Sequence, residues 1–118
     1  DNYDSQFVGK VMQTLQEKYK DSTLDIAAFC SAIGMSRSML NLKMNEIFGM
    51  PISQFIRTYR LSVAKEILSH NKDNLTINIA DVAYDVGFND PKYFSKCFSK
   101  EYGYPPSSIA SSDGSATG

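Results

Sequence analysis

The 118-residue chain lacks the features that mark membrane and disulfide-rich proteins. No apolar run approaches the roughly 18 residues that a membrane-spanning helix needs, and no signal-peptide pattern opens the sequence. The chain has two cysteines, Cys30 and Cys97, which lie far apart and form no CxxC spacing. We therefore expect two buried thiols in a reducing compartment rather than a disulfide framework.

Residues suited to catalysis or metal binding are equally scarce. The single histidine, His70, ends a helical pattern, where a C-terminal cap is a commoner role than a catalytic base. No set of His, Cys and acidic residues has metal-ligand spacing, and no glycine-rich loop separates a strand from a helix. Asp81 and Asp85 share a helical face without an acid–base partner, so we interpret them as solvent-facing charges. The sequence predicts a protein that is not an enzyme and that uses no metal and no cofactor.

The formal net charge of -1 counts against nucleic-acid binding, for which a basic balance is expected. Charge acts locally, however, over a Debye length of about 10 Å at 0.1 M salt. Residues 36–60 carry four basic side chains against Glu46 alone, a balance of +3, whereas residues 1–25 carry five acids against three bases, a balance of -2. The near-neutral total therefore conceals a basic segment.

Apolar residues recur every three or four positions, which is the spacing of one helical face, and no alternating strand pattern is present. The predicted fold class is therefore all-α. Cap and breaker residues predict helices from Asp4 or Ser5, over 25–33, from Ser36 to Gly49, over 53–70, over 79–86, and from Asn89 or Asp90 to Gly103. A loop is expected at 71–78.

Two stretches of the sequence repeat one another. Residues 26–35, IAAFCSAIGM, align with residues 79–88, IADVAYDVGF, at an offset of 53, which places Gly34 on Gly87. From Met44 onward the offset is 54, so one residue has been inserted in the turn or at the start of the following helix. Each unit is a short helix, a glycine-centred turn and a longer helix, which predicts a helix-turn-helix.

The duplication predicts four segments: a first helix-turn-helix subdomain at 4–52, a linker helix at 53–70, a second subdomain at 71–109 and a disordered tail at 110–118. A packing repeat in a protein-interaction solenoid is the alternative, although two units are fewer than the three that a solenoid generally needs. The competing function is that of a helical interaction module, which would dock to RNA polymerase or a sensor domain without touching DNA.

The stretches RLSVAKEIL and IADVAYDVGFNDPKYFSKCFSKEYGYPPS resemble the AraC/XylS family of bacterial transcription regulators, over roughly residues 5–109. The resemblance implies seven helices, with two helix-turn-helix units joined by a rigid linker helix. It implies that both recognition helices enter successive major grooves of double-stranded DNA, or that one enters while the other rests on the backbone. It also implies a sequence-specific, cytoplasmic regulator of transcription, with activation as the family's usual mode.

Residues 34–61 are similar in particular to the output domain of hybrid two-component regulators, in which sensor, kinase and receiver portions precede it. The parent of such a domain can be anchored in the inner membrane. The sequence departs from the family pattern in two places. Ile109 and Ala110 stand where the family usually has an aromatic and a basic residue, which weakens the last short helix or marks the start of a foreign tail. Leu42 stands where related regulators often have a basic residue.

The two longer helices of the repeat supply the candidate DNA contacts. On the first, asparagine suits adenine N6 and N7, and leucine suits a thymine methyl; its outward residues are Arg37, Ser38, Asn41, Leu42 and Asn45. On the second, lysine and serine suit phosphate oxygens at least as well as bases; its outward residues are Pro91, Lys92, Ser95, Lys96 and Ser99. Arg57 on the linker helix is a further candidate for phosphate contact, with an internal ion pair as its alternative. Solvated polar faces are the alternative for both sets.

Overall fold

The computed structural model describes residues 2–71 and 77–109, and every regular element in these ranges is a helix. The helices are α1 (Asn2–Lys18), α2 (Ile26–Ile33), α3 (Arg37–Phe48), α4 (Ile52–His70), α5 (Ile79–Asp85) and α6 (Pro91–Tyr102). The all-α prediction is confirmed, and the helices lie near their predicted positions. The predicted start of the first helix at Asp4 or Ser5 is wrong, because α1 already begins at Asn2, and α4 begins one residue before its predicted start. The predicted disordered tail at 110–118 and most of the predicted loop at 71–78 fall outside the described residues.

Short polar side chains begin the helices of the repeat. Asp25 accepts the Ala28 N–H at 2.8 Å before α2, and Asn78 accepts the Ala80 N–H at 2.8 Å before α5. Such caps satisfy backbone donors that have no partner inside the helix. Because Asp25 and Asn78 are related by the offset of 53, the repeat extends to the residues that start its first helix.

The chain divides into two compact units, of which the first ends at Tyr59 and the second begins at Arg60. This division lies inside α4. Ile52 and Ile56, in the N-terminal part of α4, belong to the core of the first unit. Leu61 and Leu68, in its C-terminal part, are buried residues of the second unit. The helix predicted as a linker thus supplies core residues to both units.

The core of the first unit takes apolar side chains from four helices. Its buried members are Phe7, Val11, Leu15, Phe29, Ile33, Leu40, Met44, Ile52 and Ile56. Burying one such side chain is worth about 1.5–3 kcal/mol, so the shared core fixes which face of each helix points inward. The spacing of α3 predicts that Leu40, Met44 and Ile47 form one buried face; Leu40 and Met44 are buried, whereas Ile47 is half-buried.

The second unit is built around aromatic rings on α6 and the turn before it. Phe88 and Phe94 have centroids 5.2 Å apart, Phe94 and Phe98 lie 5.8 Å apart, and Phe98 and Tyr102 lie 4.8 Å apart. Aromatic pairs at such distances add about 0.5–1.5 kcal/mol beyond the area that they bury. This inward row of rings orients the opposite face of α6 outward.

A further helical segment begins at residue 106, after Pro105. Pro106 and Ile109 are both buried, and Ile109 is 9% exposed. Ile109, which departs from the family pattern, is therefore an apolar anchor for the start of this segment. The start of the seventh helix implied by the resemblance is present despite that departure.

Candidate nucleic-acid interface

The turns of the two units share a positive-φ glycine and one backbone hydrogen bond, but they differ at the glycine N–H, which donates to the Cys30 carbonyl in the first unit and to the Tyr84 carbonyl in the second. Gly34 has φ +80° and Gly87 has φ +103°, a left-handed region that residues with a Cβ rarely adopt. The Met35 N–H donates to the Cys30 carbonyl at 3.1 Å, and the Phe88 N–H donates to the Ala83 carbonyl at 3.0 Å. Both bonds span five residues and are related by the offset of 53, so the repeat predicted from sequence is reproduced in this hydrogen bond of each turn.

The inserted residue lies in the second turn. The cap of α3 is Ser36, whose hydroxyl accepts the Met39 N–H at 3.2 Å, and the cap of α6 is Asp90, whose carboxylate accepts the Lys92 N–H at 3.0 Å. Ser36 and Asp90 are related by the offset of 54, so Asn89 is the extra residue. The offset stays at 54 to the ends of α3 and α6, which are both 12 residues long. Position by position, the two helices are therefore comparable.

Four of the five predicted α3 residues are exposed: Arg37, Ser38, Leu42 and Asn45. The fifth, Asn41, is half-buried, and its side-chain oxygen accepts the Ile52 N–H at the start of α4, at 3.3 Å. The Asn45 amide donates to the Asn41 carbonyl at 2.9 Å. Both asparagines thus already have partners within the protein, and Asn41 connects α3 to α4.

The predicted α6 residues fall into two groups. Lys92 and Lys96 are exposed, whereas Pro91, Ser95 and Ser99 are half-buried. Pro91 is the first residue of the helix, where a missing N–H is tolerated. The exposed face of α6 is therefore formed mainly by its lysines.

Two large apolar side chains on the outward faces were not predicted. Met39 is 46% exposed on α3, and Tyr93, at the equivalent position of α6, is 48% exposed. A sequence pattern assigns large apolar side chains to the core, so it does not predict the ones that are exposed. The signal that could have found them is the repeat itself, because Met39 and Tyr93 each precede by one residue the aligned core pair Leu40 and Phe94.

The basic segment at 36–60 carries less available positive charge than its composition indicates. The Lys43 ammonium donates to Asp4 Oδ1 of α1 at 2.9 Å. This hydrogen bond lowers the pKa of Asp4 and raises the pKa of Lys43. Arg57 is half-buried on α4, and no acidic side chain within the described ranges forms an ion pair with it.

The histidine and the two cysteines, which were considered as catalytic or metal-binding residues, lie in surroundings that indicate no such role. His70 Nδ1 lies 3.0 Å from the Glu66 carbonyl at the end of α4, which agrees with the predicted cap. Cys30 and Cys97 are free and only half-buried, so the expectation of two buried thiols is wrong in its degree. Cys30 packs against the core of the first unit without being enclosed by it. Among residues 2–71 and 77–109 no group of three His, Cys, Asp or Glu could hold a metal. Within the same ranges no helix is apolar enough over a sufficient length to cross a membrane.

Comparison with known families and sequences gives a consistent result. A family model described as a helix-turn-helix domain matches residues 29–112. A protein named histidine kinase P4 from Formosa agariphila is 36% identical over 104 residues, covering 88% of this chain and 7% of that protein. The HTH-type transcriptional activator RhaR from Escherichia coli strain K12 is 33% identical over 79 residues, covering 67% of this chain and 27% of RhaR. The chain thus spans a small part of the length of each of these relatives.

Solved structures share the fold. A transcriptional regulator with an AraC-type DNA-binding domain, from Chromobacterium violaceum, has a TM-score of 0.81 at 15% identity, covering 95% of this chain and 96% of that one. The C-terminal domain of the two-component response regulator yesN from Fusobacterium nucleatum has a TM-score of 0.73 at 24% identity, covering 85% and 93%. At these identities the likeness is one of fold.

Proposed function

We propose that this chain, which belongs to the helix-turn-helix family of AraC-type DNA-binding domains, binds double-stranded DNA. The binding is sequence-specific and thereby regulates transcription. In this proposal α3 and α6 are the recognition helices, and each enters the major groove of one duplex. The major groove of B-DNA is about 12 Å wide and admits an α-helix. The domain itself is not an enzyme.

The observation that carries the proposal is the repeated presentation of one helix. Each unit forms the same five-residue backbone bond at its turn and then a helix of the same length. Each of these helices buries two large residues four apart, Leu40 and Met44 on α3 and Phe94 and Phe98 on α6. A helix that is presented in the same way in both copies of a duplication suits a repeating ligand such as a duplex.

The proposed phosphate contacts come mainly from α6 and α4. Lys92, Lys96 and Lys100 lie four residues apart and are exposed on one face of α6, where they could neutralise successive phosphates. Arg57 on α4 is proposed as a further phosphate contact, and Ser95 and Ser99 as hydroxyl donors beside the lysines. The carboxylate of Asp90, which caps α6, disfavours an anion at that helix start.

The proposed base contacts come from the first unit. Arg37, Ser38, Leu42 and Asn45 are the exposed predicted residues of α3. Arg37 and Ser38 lie at its start, where the side chains of a recognition helix reach base edges. Asn41 remains a candidate through its amide nitrogen, although its oxygen already accepts the Ile52 N–H.

We further propose that the domain is the output part of a larger regulator and activates transcription. The similarity to histidine kinase P4 and the shared fold of response-regulator C-terminal domains support an output role, and the similarity to an activator supports activation. RNA polymerase, and sensor or receiver domains of the same chain, are the proposed protein partners. DNA binding would place the domain in the cytoplasm.

The test is selection of bound duplexes from a random pool, followed by a salt titration with the selected duplex and a scrambled one. We expect one enriched motif and an affinity that falls steeply as salt rises, because phosphate contacts release counterions. A protein-interaction module would enrich no motif and would show no binding, or binding indifferent to salt.

A further inference from the structure

The outward face of α3 is apolar at its centre. Met39 and Leu42 are 46% and 54% exposed and lie three residues apart, on adjacent turns of one helical face. Ser38, Asn45 and Glu46 are the exposed residues around these two, and none of the five carries a positive charge. The exposed arginine of the helix, Arg37, lies at its first position, to one side of these five residues.

The equivalent five positions of α6 have different chemistry. They hold Lys92, Tyr93, Lys96, Ser99 and Lys100. Leu42 on α3 thus corresponds to Lys96 on α6, and Glu46 corresponds to Lys100. Two helices that share register and length therefore present an apolar face in one unit and a basic face in the other.

The residues that flank the α3 face are already engaged. At 100° per residue, Asn41 and Lys43 lie on opposite sides of Leu42. Asn41 accepts the Ile52 N–H at 3.3 Å, and Lys43 donates to Asp4 at 2.9 Å. These two contacts hold α3 on both sides and leave Met39 and Leu42 as the main unpartnered surface between them.

A single exposed apolar side chain is ordinary on a protein surface. Two exposed apolar side chains on one face of a helix favour an apolar partner more strongly, because covering them stabilises the complex by about 25 cal/mol per Å² of apolar area. A phosphate is a poor occupant of this face, since Glu46 would repel it. The apolar group that a base pair offers in the major groove is the C5 methyl of thymine.

We propose that α3 reads thymine through its C5 methyl group, which Met39 and Leu42 contact, while α6 supplies the phosphate contacts. This inference rests on the proposed function and adds to it a division of roles between the two units. Specificity would then depend chiefly on the first unit, and salt-dependent affinity chiefly on the second.

The experiment replaces thymine by deoxyuridine, one position at a time, in the duplex selected from the random pool. Deoxyuridine pairs as thymine does but lacks the methyl group. With the unaltered protein we expect one or two positions at which binding weakens about fourfold, the value for one buried methyl group of about 0.8 kcal/mol. Leu42→Ala or Met39→Ala should bind the thymine and deoxyuridine duplexes equally at the position that each side chain covers.

Lys96→Ala is the matched control, because residue 96 is the α6 equivalent of residue 42. It should weaken binding to both duplexes while preserving the thymine-to-deoxyuridine ratio. Equal binding of the two duplexes by the unaltered protein at every position would overturn the inference and leave the proposed function standing. Failure to bind any duplex would overturn both. The substitution is made in the DNA, so the result does not depend on how a variant folds.

Discussion

Asn41 Oδ1 accepts the backbone N–H of Ile52 at 3.3 Å, which connects the outward helix of the first unit to the start of α4. Ile52 is fully buried, and the first N–H groups of a helix have no partner inside it. In the second unit the equivalent pair is Ser95 and Pro106, and proline has no N–H to satisfy. The first unit therefore has an acceptor, Asn41, where a backbone N–H needs a partner, and the second unit has Ser95, where there is no such N–H.

Asn41→Ala should destabilise the protein by about 1–3 kcal/mol, because the buried Ile52 N–H would lose its acceptor. Asn41→Asp retains an acceptor oxygen and should stay close to the unaltered protein. Ser95→Ala, the matched control, removes no acceptor from a backbone donor at residue 106 and should cost less than Asn41→Ala. Urea unfolding of the three variants measures these differences.

The same variants separate structure from base readout at residue 41. An asparagine that reads adenine needs both its oxygen and its amide group, so a reader would lose its base preference in Asn41→Asp while stability is kept. An unchanged motif in Asn41→Asp would assign residue 41 to holding α3 in position. A changed motif would assign it to readout.

The Asp4–Lys43 pair should make stability depend on pH at both extremes. The folded pKa of Asp4 is lowered, so its contribution is present above the ordinary carboxyl pKa of 3.8 and is lost as the pH falls through the folded value. The folded pKa of Lys43 is raised, so its contribution is present below 10.5 and is lost as the pH rises through the folded value. Both side chains are partly exposed, and the effect should weaken in salt.

Thermal unfolding of Asp4→Asn across pH checks this expectation. The variant should unfold at a lower temperature than the unaltered protein near neutral pH, and the two should converge below the pKa of Asp4. Gln16→Asn, at an exposed position elsewhere on α1, serves as the control and should run parallel to the unaltered protein. Curves for Asp4→Asn that also stay parallel would mean that the pair adds no stability in solution.

Lys96→Ala should weaken binding to every duplex by a similar factor and lower the slope of log affinity against log salt by about one. The reason is that a phosphate contact releases counterions but distinguishes no base. Lys18→Ala, an exposed lysine at the end of α1, is the matched control and should leave the slope unchanged. A sequence-dependent loss in Lys96→Ala would instead indicate that Lys96 reads a base.

The parts of this fold that sequence predicts well are local. Gly34 and Gly87 stand where a helical pattern halts, and the spacing of Leu40 and Met44 defines an inward face without knowledge of what covers it. The repeat adds a second, independent reading of each feature. Helix positions and turn geometry were therefore predictable within a residue or two.

The parts that sequence does not predict depend on distant partners. Asn41 lies 11 residues from Ile52, and Lys43 lies 39 residues from Asp4. No local pattern indicates that the side chains of Asn41 and Lys43 are already engaged. Asn41 was therefore predicted as free to meet DNA and Lys43 was counted in the basic segment, while the exposed Met39 was overlooked because its apolar character indicated a core position.

Replacing glycine by alanine should have opposite effects on stability at Gly34, in the first turn, and at Gly9, in a helix. Gly34 has φ +80°, and a Cβ added there meets nothing within 4 Å, so Gly34→Ala should cost about 1–2 kcal/mol through backbone strain alone. Gly9 lies within α1, and a Cβ added to it also meets nothing within 4 Å, so Gly9→Ala should stabilise by about 0.5–1 kcal/mol through helix propensity. Urea unfolding measures both. Equal effects would mean that the positive φ is not what requires glycine, and the shared hydrogen bond from Met35 to Cys30 would then be the feature that shapes the turn.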